Sequence, residues 1–161
     1  MSADQSNEPA QDPRFPTPPE PGAEFVHLQL LSRARQATRV LEQLGVKRGD
    51  RVAVLLPMAP ESVVATMACG RVDATRVTLP IGEPAGLLRN RIRESGARVV
   101  ITADSCHHGE RRYAAKHHVD RALVGVDRVR SVLVVHRMPG PVPWHPDRDL
   151  WWHEALDTLG A

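Results

Sequence analysis

The chain has 161 residues, 42% hydrophobic and 25% charged, with a formal net charge of +2. That length suits one domain able to bury roughly 70% of its unfolded surface, and so small a charge points to neither a nucleic acid nor an acidic membrane as partner. No segment reads as a signal peptide or reaches the ~20 apolar residues of a membrane span, so Cys69 and Cys106 are expected as free thiols of a cytoplasmic protein.

Residues 1–24 hold Pro9, Pro13, Pro16, Pro18, Pro19 and Pro21 among few apolar side chains. Such a segment buries too little surface to offset its ordering entropy, so it reads as a flexible Pro-rich arm. A folded domain is expected over 25–161. Leu30, Ala34, Ala37, Leu41 and Leu44 recur at helical spacing, with Gly45 placed to end the helix. Val52-Ala53-Val54-Leu55-Leu56 is a continuous apolar run, the mark of a strand covered on both faces. Pro60 opens a second helix running to about Gly70, and Thr75–Leu79 forms a strand. Pro84 opens a third helix, ending at Gly96, ahead of a strand at Val99-Val100-Ile101. A helix is expected over Arg112–Leu123, a strand over Ser131–Val135, and a last short helix capped by Asp149 and running to Leu156. This alternation predicts an α/β fold whose strand–helix units build a mainly parallel sheet.

Motifs with strong chemical meaning are missing. Leu56-Pro57-Met58-Ala59-Pro60 follows the first strand where a dinucleotide-binding glycine loop would sit, and there is no Gly-x-x-x-x-Gly-Lys-Ser/Thr phosphate loop. No serine occupies a Gly-x-Ser-x-Gly elbow. Cys106-His107-His108 and His117-His118 contain metal-ligating types, but adjacent histidines on a helix diverge and no paired-cysteine or His-Glu-x-x-His spacing supports them. A solvated polar surface is the simpler reading. Cys69 lies in an apolar segment and reads as a buried structural thiol rather than a reactive one. Trp151-Trp152-His153-Glu154 reads as packing against the sheet ahead of a ligand platform. Arg111-Arg112, at the start of the helix expected there, would meet a phosphate at the helix N-terminus or, more simply, form a solvated charged face.

Three stretches taken together are more specific. They are Leu44 to Val54 (LGVKRGDRVAV), Pro57 to Ala65 (PMAPESVVA) and Val99 to Asp104 (VVITAD), joined by Pro143-Trp144 and by Arg148 to Glu154 (RDLWWHE). In these the chain resembles the acyl-adenylate-forming enzymes, and among them the acetyl-coenzyme A synthetases, from about Phe25 to Leu156. The resemblance implies a segment of a larger N-terminal domain, hence an incomplete sheet. It also implies a two-step reaction: acetate attacks ATP, with Mg2+ on the phosphates, and coenzyme A then takes the acetyl group. The family's Ser/Thr/Gly-rich phosphate loop, its Tyr-Gly-x-Thr-Glu segment, its ribose-holding aspartate and its C-terminal lysine are not in this sequence, so the chain alone is expected to be inactive. A full-length or complementary synthetase chain is the partner implied.

The resemblance places one ligand near this segment, the nucleotide end of coenzyme A. Its glycine-rich turn falls on Pro80-Ile81-Gly82-Glu83-Pro84 and its basic pair on His108 and Arg111, so Gly82, His108 and Arg111 are the candidate cofactor-binding residues of a degraded site. Ile81 is expected to crowd the ligand and Glu83 to repel it, and a histidine is a weaker phosphate donor than an arginine. Where the family has glycine after Arg71-Val72, this chain has Asp73, expected to disturb the turn into the next strand.

Overall fold

A computed structural model describes residues 23–161. The Pro-rich arm falls outside the described residues, save Ala23 and Glu24, with which helix α1 (Ala23–Gln43) begins. After α1 the order is β1 (Arg51–Leu55), α2 (Pro60–Arg71), β2 (Thr75–Thr78), α3 (Ala85–Ser95) and β3 (Val99–Ala103). Then come β4 (Cys106–His108), β5 (Arg111–Tyr113), α4 (Ala115–Ala122), β6 (Ser131–Val135), β7 (Asp149–Trp151) and α5 (Trp152–Thr158).

Five strands form one open sheet in the order β2-β1-β3-β6-β7, and every neighbouring pair is parallel. The helices α1, α2 and α5 pack together on one face, and α3 and α4 on the other. Two covered faces explain why β1, β3 and β6 are apolar without alternation. Val52 to Leu55, Val99 to Ala103 and Val132 to Val135 are buried throughout. The α/β alternation and the parallel sheet read from the sequence are therefore present.

Two local expectations fail. The helix expected over Arg112–Leu123 starts only at Ala115, because residues 106–113 form an antiparallel hairpin, β4–β5. Gly109 turns this hairpin with φ 61°, a conformation that suits glycine at the first position of a two-residue loop. Tyr113 then anchors it, buried, with its hydroxyl donating to the Glu83 carbonyl at 2.9 Å.

The second failure is Asp149, which caps no helix. It begins β7, paired in register with Val132 of β6, and its carboxylate is consumed by charges. Lys116 Nζ lies 2.7 Å from Asp149 Oδ2, and Arg148 Nε donates to Oδ1 at 2.8 Å. Lys116 and Asp149 both have fully buried side chains. The ammonium also donates to both Asp120 oxygens, at 2.9 and 2.8 Å, and to the Pro143 carbonyl at 2.8 Å. Arg148 completes the group by donating to Asp120. Two cations and two anions thus meet with their hydrogen-bonding capacity largely used, which is the condition for tolerating buried charge.

Asp73, predicted to disturb its turn, adopts φ 55°. Aspartate enters this left-handed region more readily than most side chains, though at a cost. The turn forms around it, with the Ala74 amide donating to the Cys69 carbonyl at 2.9 Å and the Asp73 carbonyl accepting from Gly49.

Replacing Lys116 by Met leaves Asp149 buried and short of a partner, and should cost about 3–5 kcal/mol in urea unfolding; Lys116→Met with Asp149→Leu should recover a large part of that loss. Burial alone would raise the Asp149 carboxyl, but hydrogen bonds from Arg148, Lys116 and the His145 amide outweigh it and hold it below the ordinary value. A depressed carboxyl stabilises the fold above its unfolded value of about 4, and that stability is lost as pH falls through the lower folded value. The midpoint of urea unfolding should therefore drop steeply below about pH 4, and Asp149→Asn should flatten that slope. Asp73→Gly should raise stability by about 0.5–1 kcal/mol in the same assay, by removing the Cβ strain.

Candidate functional site

The carboxyl ends of β3 and β6 meet at Asp104. Its Oδ1 accepts from the backbone N–H groups of Ser105, Arg137 and Met138, at 2.7, 2.9 and 3.1 Å. Its Oδ2 lies 2.7 Å from His136 Nδ1. Burial works against this carboxylate, but the three amides and the histidine outweigh it and hold its pKa below the ordinary value. Asp104 thereby fixes the exit of β3 against the exit of β6, and the β4–β5 hairpin grows from the residue that follows it. Ligands of open parallel sheets gather beyond this end of the strands.

The hairpin brings the three candidate residues together. His108 and Arg111 face each other in the last register pair before the turn. The His108 ring lies directly over Gly82: a Cβ at Gly82 would fall 2.6 Å from His108 Nε2 and 2.9 Å from both ring carbons beside it. Gly82 has φ 94°, so both conformation and close approach require glycine there. Arg111 is exposed, with no carboxylate within ion-pair distance among the described residues. Beside it, Arg112 donates to the Pro139 carbonyl at 3.1 Å, tying the hairpin to the loop after β6. The arrangement sets the exposed Arg111 and the His108 ring beside a glycine turn, an edge with donors for an anion.

Two expected obstacles are differently placed. Ile81 turns its side chain onto the core and does not crowd the exposed Gly82. Glu83 is held by a two-point pair with Arg91, at 2.8 and 2.7 Å, and that hydrogen bonding lowers its carboxyl below the ordinary value. Its charge is thus largely matched by Arg91. The phosphate reading of Arg111-Arg112 at a helix N-terminus is corrected: both stand on β5, and α4 starts beyond them.

The remaining candidates have structural surroundings. Cys69 and Cys106 are buried free thiols, and burial raises both above the ordinary thiol value. His118 packs on Tyr113 with ring centroids 4.5 Å apart. Trp152 is buried in the core, while Trp151 stacks on Trp144 at 4.7 Å. Trp144 in turn lies 5.7 Å from the Lys116 ammonium. Among the described residues no three His, Cys, Asp or Glu side chains gather to hold a metal ion, and no helix is long and apolar enough to cross a membrane. The residues that position the site, Asp104 and Tyr113, went unassigned from the sequence. The two-residue Gly109-Glu110 loop between short polar–aromatic runs was the signal for the hairpin.

Comparison with known proteins identifies the family. The model of the family described as AMP-binding enzyme matches residues 8–157. Acetyl-coenzyme A synthetase of Emericella nidulans is 38% identical over 143 residues, covering 89% of this chain and 21% of that protein. The acetyl-coenzyme A synthetase of Streptomyces coelicolor is 40% identical over 137 residues, covering 85% and 21%. That of Phycomyces blakesleeanus is 41% identical over 130 residues, covering 80% and 19%. The chain spans about one fifth of the length of these relatives. With a match that takes in nearly all of its residues, the chain belongs to the AMP-binding enzyme family, as one segment of the acetyl-coenzyme A synthetase-like architecture.

Proposed function

We propose that this chain is the coenzyme A-facing segment of an acetate–coenzyme A ligase-like domain, and that it does not catalyse acyl adenylation by itself. The observation that carries the first half is the seating of His108 on Gly82, beside Arg111. Residues distant in sequence form one exposed, cationic, glycine-floored edge, at the end of the sheet where ligands gather. The phosphates of a coenzyme A nucleotide are the ligand that such an edge suits, since Arg111 offers a fork of donors. The relatives' printed names supply the acetyl-coenzyme A context.

The second half rests on chemistry. Adenylation requires groups that cradle and neutralise the ATP phosphates. These 161 residues contain no glycine-rich phosphate loop with its lysine. Buried free thiols at Cys69 and Cys106 fit a reducing, cytoplasmic setting.

Acetate-dependent ATP–pyrophosphate exchange by the purified chain should therefore read zero, and clear exchange would refute the inactive reading. Calorimetry with coenzyme A should show binding no tighter than about millimolar, or roughly −4 kcal/mol. His108→Arg should tighten it by about threefold to tenfold at low salt, because a second fork of donors is added. Gly82→Ala should weaken it, since the added Cβ displaces the His108 ring. Equal affinity in all three proteins would remove this edge from consideration.

A further inference from the structure

The amino ends of the parallel strands lie opposite the edge that carries Gly82 and His108, and arginine is concentrated there. Val52 pairs with Val99, and Val99 with Ser131. One residue earlier, the same register sets Arg51, Arg98 and Arg130 abreast on three adjacent strands. The Arg130 amide donates to the Arg98 carbonyl at 2.9 Å, which carries the ladder to this level. Strands lie about 4.8 Å apart, so the row is about 10 Å long at its backbone. Residues abreast in a parallel sheet leave the same face. Here it is the face covered by α3 and α4, since Arg51 Nη1 donates to the Ser95 carbonyl, at the end of α3, at 3.4 Å.

Arg128 joins the row from the loop before β6, its guanidinium 3.8 Å from where a Cβ on Gly96 would stand. Together with Asp127, the side chains of Arg98, Arg128 and Arg130 line a cavity of about 310 Å³. All four arginines are exposed. Among the described residues no carboxylate lies within ion-pair distance of any of them. Simpler accounts cover part of the group: Arg128 faces the carbonyl end of α3, which favours a cation, and Arg51 has the Ser95 carbonyl. Neither account serves Arg98 or Arg130, which belong to no helix and stand side by side. Like charges abreast repel, and a cleft lined by one sign concentrates the opposite ion. Asp127, the one carboxylate of the cavity, offsets a single charge of three. Guanidinium forks match phosphate oxygens in pairs, and forks set in a row suit phosphates joined in a line. No aromatic side chain lines the cavity, so a base finds nothing to stack on, which speaks against a single-stranded nucleic acid.

We propose that Arg98, Arg128 and Arg130, extended by Arg51, form a binding site for a linear oligophosphate, free or as the tail of a nucleotide. The phosphates lie along the row, bridge neighbouring guanidiniums and remove their mutual repulsion. The site is at the opposite end of the strands from Arg111 and does not depend on the coenzyme A reading.

Calorimetric titration of the whole chain with tripolyphosphate, at low salt and without divalent cations, tests this. One-to-one binding is expected, about tenfold or more tighter than that of orthophosphate and weakening as salt is raised. Arg98→Gln and Arg130→Gln should each weaken it about tenfold or more, whereas Arg35→Gln, which removes an exposed arginine of α1, should leave it unchanged. Melting curves give a second readout. Tripolyphosphate should raise the midpoint of the parent and raise that of either row variant less, while the free variants melt no lower than the free parent, since a repulsion has been relieved. GTP titrated in the same way separates the sources: binding that needs the row extends the site to nucleotide tails, its absence restricts the site to free oligophosphate, and both uphold it. No binding of tripolyphosphate, or binding indifferent to both row variants, overturns the proposal. So does binding that Arg111→Gln abolishes and the row variants keep, since the ligand then sits at the coenzyme A-facing edge. A single-stranded oligonucleotide that binds through the row more tightly than tripolyphosphate overturns the ligand class.

Discussion

The outer third of the sheet depends on a buried lysine. Strand β7 has three residues, Asp149 to Trp151, and pairs with β6 alone. Three ladder positions at a sheet edge give little stability in isolation. The chain reaches β7 through residues 136–148, which contain four prolines and form no helix or strand. Lys116, projecting from α4, supplies what the ladder lacks. One ammonium holds Asp120 on its own helix, the Pro143 carbonyl in the connection, and Asp149 at the start of β7. Removing it from water is costly, and so the cluster acts as a selector of arrangement: only with β7 in register do all four charged groups find partners. With β7 fixed, α5 follows directly and closes on α1, and Trp151 and Trp144 stack across the connection.

The same logic operates at the other end of the central strands. Asp104 and Asp149 each accept several donors within a mostly apolar setting; Asp104 ties the exit of β6 to that of β3, and Asp149 ties β7 to α4 through Lys116. Asp104 secures the carboxyl end, where the hairpin leaves the sheet; Asp149 secures the amino end of β7. The hairpin inherits its position from Asp104 at its base and from Tyr113 at its far strand. Through the Glu83 carbonyl, Tyr113 also holds the turn that carries Gly82. Burial pushes this tyrosine up to about 12, with Cys106 and Glu83 adding to the effect, so its hydroxyl stays a donor across the ordinary pH range. The cationic edge at His108 and Arg111 is thus carried by a short excursion whose two ends are both pinned.

The sequence made the layered architecture legible because burial writes it directly. Val52 to Leu55 and Val132 to Val135 are apolar at consecutive positions, and only strands covered on both faces have that need. Helix ends were equally visible where one residue type decides them, as at Pro60, Pro84 and Gly96. What stayed hidden involves side chains whose roles come from partners far along the chain. Asp149 followed by an apolar-aromatic run has the local look of a helix cap, and only the arrival of Lys116 from 33 positions earlier makes it a strand residue. Residues 106–123 contain too few apolar side chains to show a period, so the end of strand β5 reads as the start of a helix over Arg112–Leu123. The candidate site was legible only in part for the same reason. Gly82, His108 and Arg111 were named by resemblance, whereas the contact between Gly82 and His108 is a product of the fold.

That contact also sets what this edge can offer to a ligand. An arginine side chain at position 108 would project its charge beyond the turn, whereas the flat imidazole of His108 rests on the Gly82 backbone. The imidazole covers the glycine and offers fewer donors than an arginine would. Meanwhile Glu83, whose charge would oppose an anion, is turned aside by Arg91, and Ile81 is folded inward. The turn's carboxylate is therefore matched by Arg91, and its edge carries the exposed Arg111 beside His108. If the edge faces coenzyme A as proposed, position 108 is where a single residue adds or removes a fork of phosphate donors.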